Sequence, residues 1–105
     1  MGRYALMIRQ DIDINGYWRI IVCYNVYLGS DNSGFTYSNL KKKYSIVGIG
    51  YADSRKQFFN TLIHEAKHVQ SHICKYYDVP EDGEQAAYLI GYIVMKMYDG
   101  FKKFL

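Results

Sequence analysis

The segment 54–78 constrains the fold most, because it carries the start, the periodicity and the end of one long helix. Ser54 and Gln57 have the spacing of a capping box, which predicts that the helix begins here. The apolar residues that follow fall on one narrow stripe at about 100° per residue, which predicts a face packed on a core. This stripe consists of Phe59, Leu62, Ala66, Val69 and Ile73. Pro80 disfavours helical geometry in the residue before it, so we expect the helix to end near residues 77–78.

Nearly opposite the stripe, the same helix carries two histidines. His64 and His68 are four residues apart, so their side chains lie one above the other on one face. Two imidazoles spaced in this way supply half of a tetrahedral zinc site. Glu65 directly follows the first histidine, where its carboxylate can take a proton from a metal-bound water. The H-E-x-x-H spacing on a helix is typical of zinc metalloproteases and predicts Zn²⁺ at His64 and His68, with Glu65 as the catalytic general base.

A second helix is predicted from about Asp82 to Asp99, with Gly100 as its terminator. One face of this helix carries small and aromatic residues at helical spacing. These residues are Glu84, Ala87, Tyr88, Gly91, Tyr92 and Met95. The small side chains on this face predict that it approaches the first helix closely.

A catalytic zinc takes three protein ligands and keeps a fourth position for water. His72 lies two turns from His64, roughly 12 Å along the axis, so the two cannot share one ion. Glu84, at the start of the second helix, is the predicted third metal ligand, with Glu81 and Asp82 as alternatives.

A hydrolytic site of this kind also needs a donor to stabilise the developing oxyanion. Tyr88 is the predicted catalytic donor, because it lies on the same face of the second helix as Glu84. Tyr92 on the same face and Tyr51 before the first helix are the alternatives.

The N-terminal half predicts a small sheet. Segments 4–8, 17–28 and 44–51 have strand composition, and Asn15-Gly16 is a strong hairpin-turn signal. Residues 29–43 are predicted to form a loop. The two glycines of segment 44–51 predict a bulge or a close approach by another backbone. This strand has either a purely structural role or is an edge strand that pairs with an extended peptide. We therefore expect one α+β domain, residues 1–105, with a small antiparallel or mixed sheet of about three strands packed on two main helices.

The amino-acid composition limits the partners and the cellular location that we expect for this domain. The net charge is +3 and the one basic run is 41–43, so we expect no nucleic-acid partner. The longest apolar run, 86–95, is too short to span a bilayer, so we expect no membrane partner. Cys23 and Cys74 are isolated, which favours a reducing compartment, and early charged residues interrupt any secretory signal pattern. The expected location is cytoplasmic.

The residues 64–68 (HEAKH), followed by 83–88 (GEQAAY), resemble the gluzincin branch of zinc metallopeptidases. More narrowly, they are similar to small zincin-like proteins of bacteria and phages and to the peptidase domain of ImmA/IrrE-type regulators. The resemblance implies a helix pair on a small sheet, zinc at His64, His68 and Glu84, and hydrolysis of a peptide or protein substrate. In larger gluzincins an acidic residue follows the third ligand by four positions, and here that position is Tyr88.

Two other readings of the same residues stay open. In the first, a catalytically weak zincin fold serves as a binding or regulatory module, because the 105 residues include no counterpart of the C-terminal subdomain of larger gluzincins. In the second, the motif match is accidental and the chain is an unrelated α+β domain.

Overall fold

The computed structural model describes residues 7–29 and 33–102, with Phe101 described by its backbone only. Within these residues, four strands and two helices form the α+β fold predicted from the sequence. They are β1 (Ile8–Ile14), β2 (Trp18–Val26), β3 (Gly34–Asn39), β4 (Tyr44–Gly50), α1 (Arg55–Tyr77) and α2 (Glu84–Phe101). The sheet is mixed and has the order β1-β2-β4-β3. Strands β2 and β4 are parallel, whereas the β1–β2 and β3–β4 pairs are antiparallel.

The first hairpin turns where the sequence predicts, but its first strand lies later in the chain. Asn15 and Gly16 adopt left-handed φ values of 50° and 77° in a three-residue loop, and the Tyr17 N–H donates a hydrogen bond to the Ile14 carbonyl at 2.8 Å. Strand β1 covers Ile8–Ile14 and not segment 4–8, of which residues 4–6 lie outside the described residues. The reason is a strict alternation in which Ile12 and Ile14 are buried while Asp11 and Asp13 face solvent.

Part of the predicted loop 29–43 is a strand. Strand β3 pairs with β4 and forms one edge of the sheet. The amino-acid composition of this segment does not indicate a strand, because β3 lies over polar side chains of α1 and has few apolar residues facing inward. Strand β4 is hydrogen-bonded on both sides and is therefore not the edge strand. The close approach predicted at its glycines does occur at Gly48, where a Cβ would lie 2.2 Å from the Phe35 ring.

Helix α1 begins and ends as predicted. The Ser54 hydroxyl accepts a hydrogen bond from the Gln57 N–H at 3.1 Å, and the Gln57 side chain accepts one from the Asp53 N–H at 3.0 Å. The helix ends at Asp78, whose φ of 58° is left-handed. The buried stripe differs in one residue, because Phe58 is buried and Phe59 is largely exposed.

Helix α2 begins as predicted, since its N-cap is Gly83, the residue next to Asp82. It differs from its prediction at its C-terminal end and in the face that packs on α1. The helix continues through Gly100 to Phe101. Glycine is required at position 100 by close packing, because a Cβ there would lie 2.4 Å from Cε2 of Tyr24. The small-residue face predicted to contact α1 is instead turned outward, with both Ala87 and Gly91 exposed. The contacts of α2 with α1 and β1 are made by the opposite face, which includes Ala86, Ile93 and Met97.

The sheet and both helices share one core. Its fully buried members include Trp18, Ile20, Val22, Tyr24, Val47, Ile49, Leu62, Ala66, Val69, Ile93 and Met97. No helix in the described part of the chain is long and apolar enough to cross a membrane.

Candidate metal and catalytic site

The exposed side of α1 presents the two motif histidines as a pair. Both imidazoles face solvent, as the sequence predicts. The Nε2 atoms of His64 and His68 lie 3.2 Å apart, and the two rings meet edge to face with centroids 4.8 Å apart. Two nitrogens bound to one tetrahedral zinc at about 2.0–2.1 Å would be separated by about 3.3 Å. The spacing of this pair therefore fits a shared metal ion.

Glu65 is held by contacts with β3. Its side chain is only 5% exposed, and the Thr36 hydroxyl donates a hydrogen bond to its Oε1 at 2.7 Å. Gly34, two residues earlier on the same strand, lies over the other oxygen: a Cβ there would be 3.0 Å from Glu65 Oε2 and 2.9 Å from Thr61 Cγ2. The strand thus fixes the carboxylate and, by having no side chain at Gly34, leaves room beside it.

The structure does not bring Glu84 and Tyr88 to the histidine pair. Both belong to the outward face of α2, where Tyr88 is 73% exposed. Within residues 7–29 and 33–102, no three His, Cys, Asp or Glu side chains lie close enough together to hold a metal ion. In this arrangement Glu84 does not complete the zinc site, because it starts a helix whose inner face, not its outer one, packs on α1.

Glu81, in the turn between the two helices, contacts α1 on the side that carries the histidine pair. Its Oε2 accepts hydrogen bonds from Ser71 Oγ at 2.9 Å and from Lys67 Nζ at 3.4 Å. The Ser71 hydrogen bond, with the hydrogen bond and charge of Lys67, lowers the pKa of Glu81. Ser71 follows His68 by three residues and shares its side of the helix. Asp82, the other alternative, is exposed.

His72 belongs to a separate polar chain that reaches into the core. Its Nδ1 lies 2.6 Å from Ser38 Oγ, which lies 2.7 Å from Ser45 Oγ. The buried Trp18 Nε1–H donates to Ser45 Oγ at 2.9 Å. Burial lowers the pKa of His72, and the charges of His68 and Lys75 lower it further. The neutral imidazole is therefore the favoured form, and the residue anchors α1 to β3.

Sequence reasoning missed Thr36 and Ser38, which support Glu65 and His72 from β3. The available signal was their alternation, since Gly34, Thr36 and Ser38 are two apart and so share one face of a strand. Comparisons of this chain with protein-family models, with curated proteins and with solved structures found no match.

Proposed function

We propose that this protein is a zinc-dependent metallopeptidase in which His64 and His68 bind the metal and Glu65 is the general base. The observation that carries the proposal is the 3.2 Å separation of the two Nε2 atoms, which suits a single ion. Zinc in such a site polarises the scissile carbonyl and acidifies a bound water.

The surroundings of Glu65 support its role as base. Oε1 accepts the Thr36 hydrogen bond, so proton transfer is assigned to Oε2, beside Gly34. Burial and the Thr36 hydrogen bond hold the carboxylate in one position. This supports the assignment, because the first requirement of a general base is a fixed position within reach of the proton that it accepts. The proton taken from water is then delivered to the leaving nitrogen.

Strand β3 supports a peptide as the substrate. Among the described strands it pairs on one side only, with β4, so its outer edge offers backbone donors and acceptors. An extended peptide can pair with such an edge, main chain to main chain. The same strand carries Gly34 and Thr36, so a peptide on this edge would pass close to Glu65.

The third protein ligand is assigned to Glu81, in the acidic turn before α2. Glu84 is the ligand that the sequence resemblance implies. Glu81 is favoured by its contacts with Ser71 and Lys67 on the histidine side of α1. Ser71 and Lys67 would exchange their contacts with Glu81 for water if that carboxylate turned to the metal.

A second candidate function is that of a binding or regulatory module with the same fold. It is favoured by the lack, among the described residues, of any three metal-ligating side chains in one group. A site with two histidines alone would bind zinc weakly and hold no activated water in a defined position.

Metal content and hydrolysis separate the two. We expect about one zinc per wild-type chain by plasma mass spectrometry, and loss of zinc in His64→Ala and His68→Ala. His72→Ala is the matched control, because it removes the same side chain from the same helix at a position that bonds Ser38. The zinc affinities of Glu81→Ala and Glu84→Ala are then compared, and the variant with the larger loss of affinity identifies the third ligand.

Hydrolysis of a peptide library by wild type and by Glu65→Gln then tests catalysis. Activity in the wild type with loss in Glu65→Gln supports the metallopeptidase. If the wild type binds zinc but hydrolyses no peptide, or if wild type and Glu65→Gln hydrolyse peptides equally, the binding module is the supported function. A wild type that binds no zinc overturns the metallopeptidase proposal.

A further inference from the structure

One face of the sheet is not covered by the helices in the part of the chain that the structure describes. On the covered face, Ser45, Val47 and Ile49 of β4 are buried, and the two apolar residues share the core with both helices. Because side chains alternate along a strand, the residues between them point to the opposite side. Phe35 of β3 lies on that opposite side, since a Cβ at Gly48 would be 2.2 Å from its ring. We call this side the open face.

The open face carries three aromatic side chains on β3 and β4. Phe35 and Tyr37 alternate with Thr36, which contacts α1, and they are 41% and 52% exposed. Tyr44, directly before the buried Ser45, is half-buried, and its ring centroid lies 6.4 Å from that of Tyr37. We call Phe35, Tyr37 and Tyr44 the aromatic platform. It offers apolar surface on which planar rings of a ligand can stack.

Basic residues lie at one end of the aromatic platform. They are Arg19 and the three lysines of the β3–β4 turn, 41–43, and all are exposed. Arg19 lies opposite Tyr44 in the register of β2 and β4, and its backbone N–H donates a hydrogen bond to the Lys43 carbonyl at 3.2 Å. Arg19 alternates with buried residues of β2, which places its side chain on the open face. We call Arg19 and residues 41–43 the basic end, and its charge favours an anionic ligand.

Two carboxylates of the open face lie away from the aromatic platform. Asp11 and Asp13 are exposed on β1, at the opposite edge of the sheet from β3. The Asp11 carboxylate accepts a hydrogen bond from Arg9 Nε at 2.9 Å, so an ion pair offsets its charge. A ligand that follows β3 and β4 is therefore separated from both carboxylates by β2.

Single-stranded nucleic acid has the chemistry that fits both parts of this surface. Proteins that bind single strands combine aromatic side chains, on which bases stack, with basic groups along the phosphates. An acidic peptide would pair with the lysines but would offer few planar rings to the aromatic platform, and the bases of a duplex are stacked on each other. We propose that the open face binds single-stranded nucleic acid, with bases on the aromatic platform and phosphates at the basic end.

This proposal revises the expectation of no nucleic-acid partner, which depended on the single basic run in the sequence. Phe35 and Arg19 are separated from residues 41–43 along the chain, and the pairing of β2, β3 and β4 brings them onto one surface. The metal site is not involved, because His64 and His68 lie on α1, which packs on the other face of the sheet.

Fluorescence anisotropy of a labelled DNA single strand of about 12 nucleotides tests the proposal, with EDTA present so that metal ions have no effect. At low salt we expect wild type to bind with a dissociation constant in the micromolar range, and to bind a duplex of the same length more weakly. A wild type that does not bind the single strand, or that binds the duplex as tightly, overturns the proposal.

Tyr37→Ala tests the aromatic platform. It should weaken binding about fivefold or more, because one base loses its stacking partner. Tyr88→Ala is the matched control, since it removes the same side chain from a position on α2 that is 73% exposed, and it should bind as wild type does. Circular dichroism checks that both variants are folded. Unchanged binding by Tyr37→Ala, or an equal loss in both variants, overturns the stacking role of the platform.

Replacement of the three lysines 41–43 by glutamine tests the basic end. The slope of the logarithm of affinity against the logarithm of salt concentration should become shallower by about 2, since each neutralised phosphate of a single strand contributes about 0.7. Replacement of Lys56, Lys75 and Lys102 by glutamine is the matched control, because these exposed lysines lie outside the sheet and their loss lowers the net charge equally. The same change of slope in both triple variants would mean that only net charge matters, and it overturns the placement of the phosphates at the basic end.

Discussion

Thr36 donates its hydroxyl to a buried carboxylate, and Thr36→Val removes that donor with little change in shape. Glu65 is 5% exposed and its Oε1 is 2.7 Å from the Thr36 Oγ1. Solvent cannot readily replace the lost hydrogen bond at this oxygen. We therefore expect Thr36→Val to lower the free energy of unfolding, although valine is at least as well suited to a strand as threonine.

The size of the loss follows from the charge of the acceptor. A hydrogen bond to a charged group contributes about 1.5–3 kcal/mol, and one between neutral groups about 1 kcal/mol. Thr36→Val should therefore cost about 2 kcal/mol in the wild-type background. In the Glu65→Gln background, where the acceptor is a neutral amide oxygen, it should cost about 1 kcal/mol.

Urea unfolding followed by circular dichroism measures both differences. For a slope of about 1.5 kcal/mol per molar, the wild-type midpoint should fall by roughly 1.3 M on Thr36→Val. The four proteins form a double-mutant cycle in which strand propensity cancels. An equal loss in both backgrounds, or a loss below about 0.5 kcal/mol, would refute the assignment of Thr36 as a partner of the carboxylate.

Three further substitutions test the packing and the polar chain. Gly100→Ala should destabilise the protein by about 2 kcal/mol, because its Cβ would lie 2.4 Å from Tyr24 Cε2. Gly91→Ala should stabilise the protein by about 0.5–1 kcal/mol, since its Cβ would meet nothing within 4 Å. Urea unfolding measures the change in the free energy of unfolding for both glycine variants. Changes of the same sign for Gly100→Ala and Gly91→Ala would contradict the orientation of α2. Burial lowers the pKa of His72 below its ordinary value of 6.5, so near that pH the unfolded chain binds a proton that the native chain does not. Wild type should therefore be fully stabilised above that value and lose stability as the pH falls below it, and His72→Gln should lose part of this dependence in unfolding curves from pH 7.5 to 5. An unchanged slope would contradict the burial of the imidazole against Ser38.

Helix α1 shows how far local sequence determines structure. Its start at Ser54 and its end before Pro80 follow from hydrogen bonds and backbone geometry within a few residues. The position of His64 and His68 on one face follows from helical periodicity, whereas the 3.2 Å separation of their Nε2 atoms depends also on the side-chain rotamers. The Asn15-Gly16 turn is equally local, because two adjacent residues with positive φ are enough to specify it.

Strand β3 and helix α2 show where local sequence was insufficient. Strand β3 has polar residues on the side that faces α1, so hydrophobic alternation does not reveal it. Helix α2 has small and apolar residues on more than one side, and the periodicity alone did not identify the inner face. The prediction of Glu84 and Tyr88 as site residues depended on that choice of face, and the structure turns both outward.

The sequence alone determined the fold class, the capped motif helix and the histidine pair on its exposed side. Only the tertiary structure decided that Thr36 holds Glu65, that Ser38 holds His72 and that the face of α2 with Glu84 and Tyr88 is turned to solvent. The reason is the range of the forces involved. Caps, turns and helical spacing act over a few residues, whereas the meeting of residues 29 or more positions apart depends on how a whole sheet and two helices fill one core.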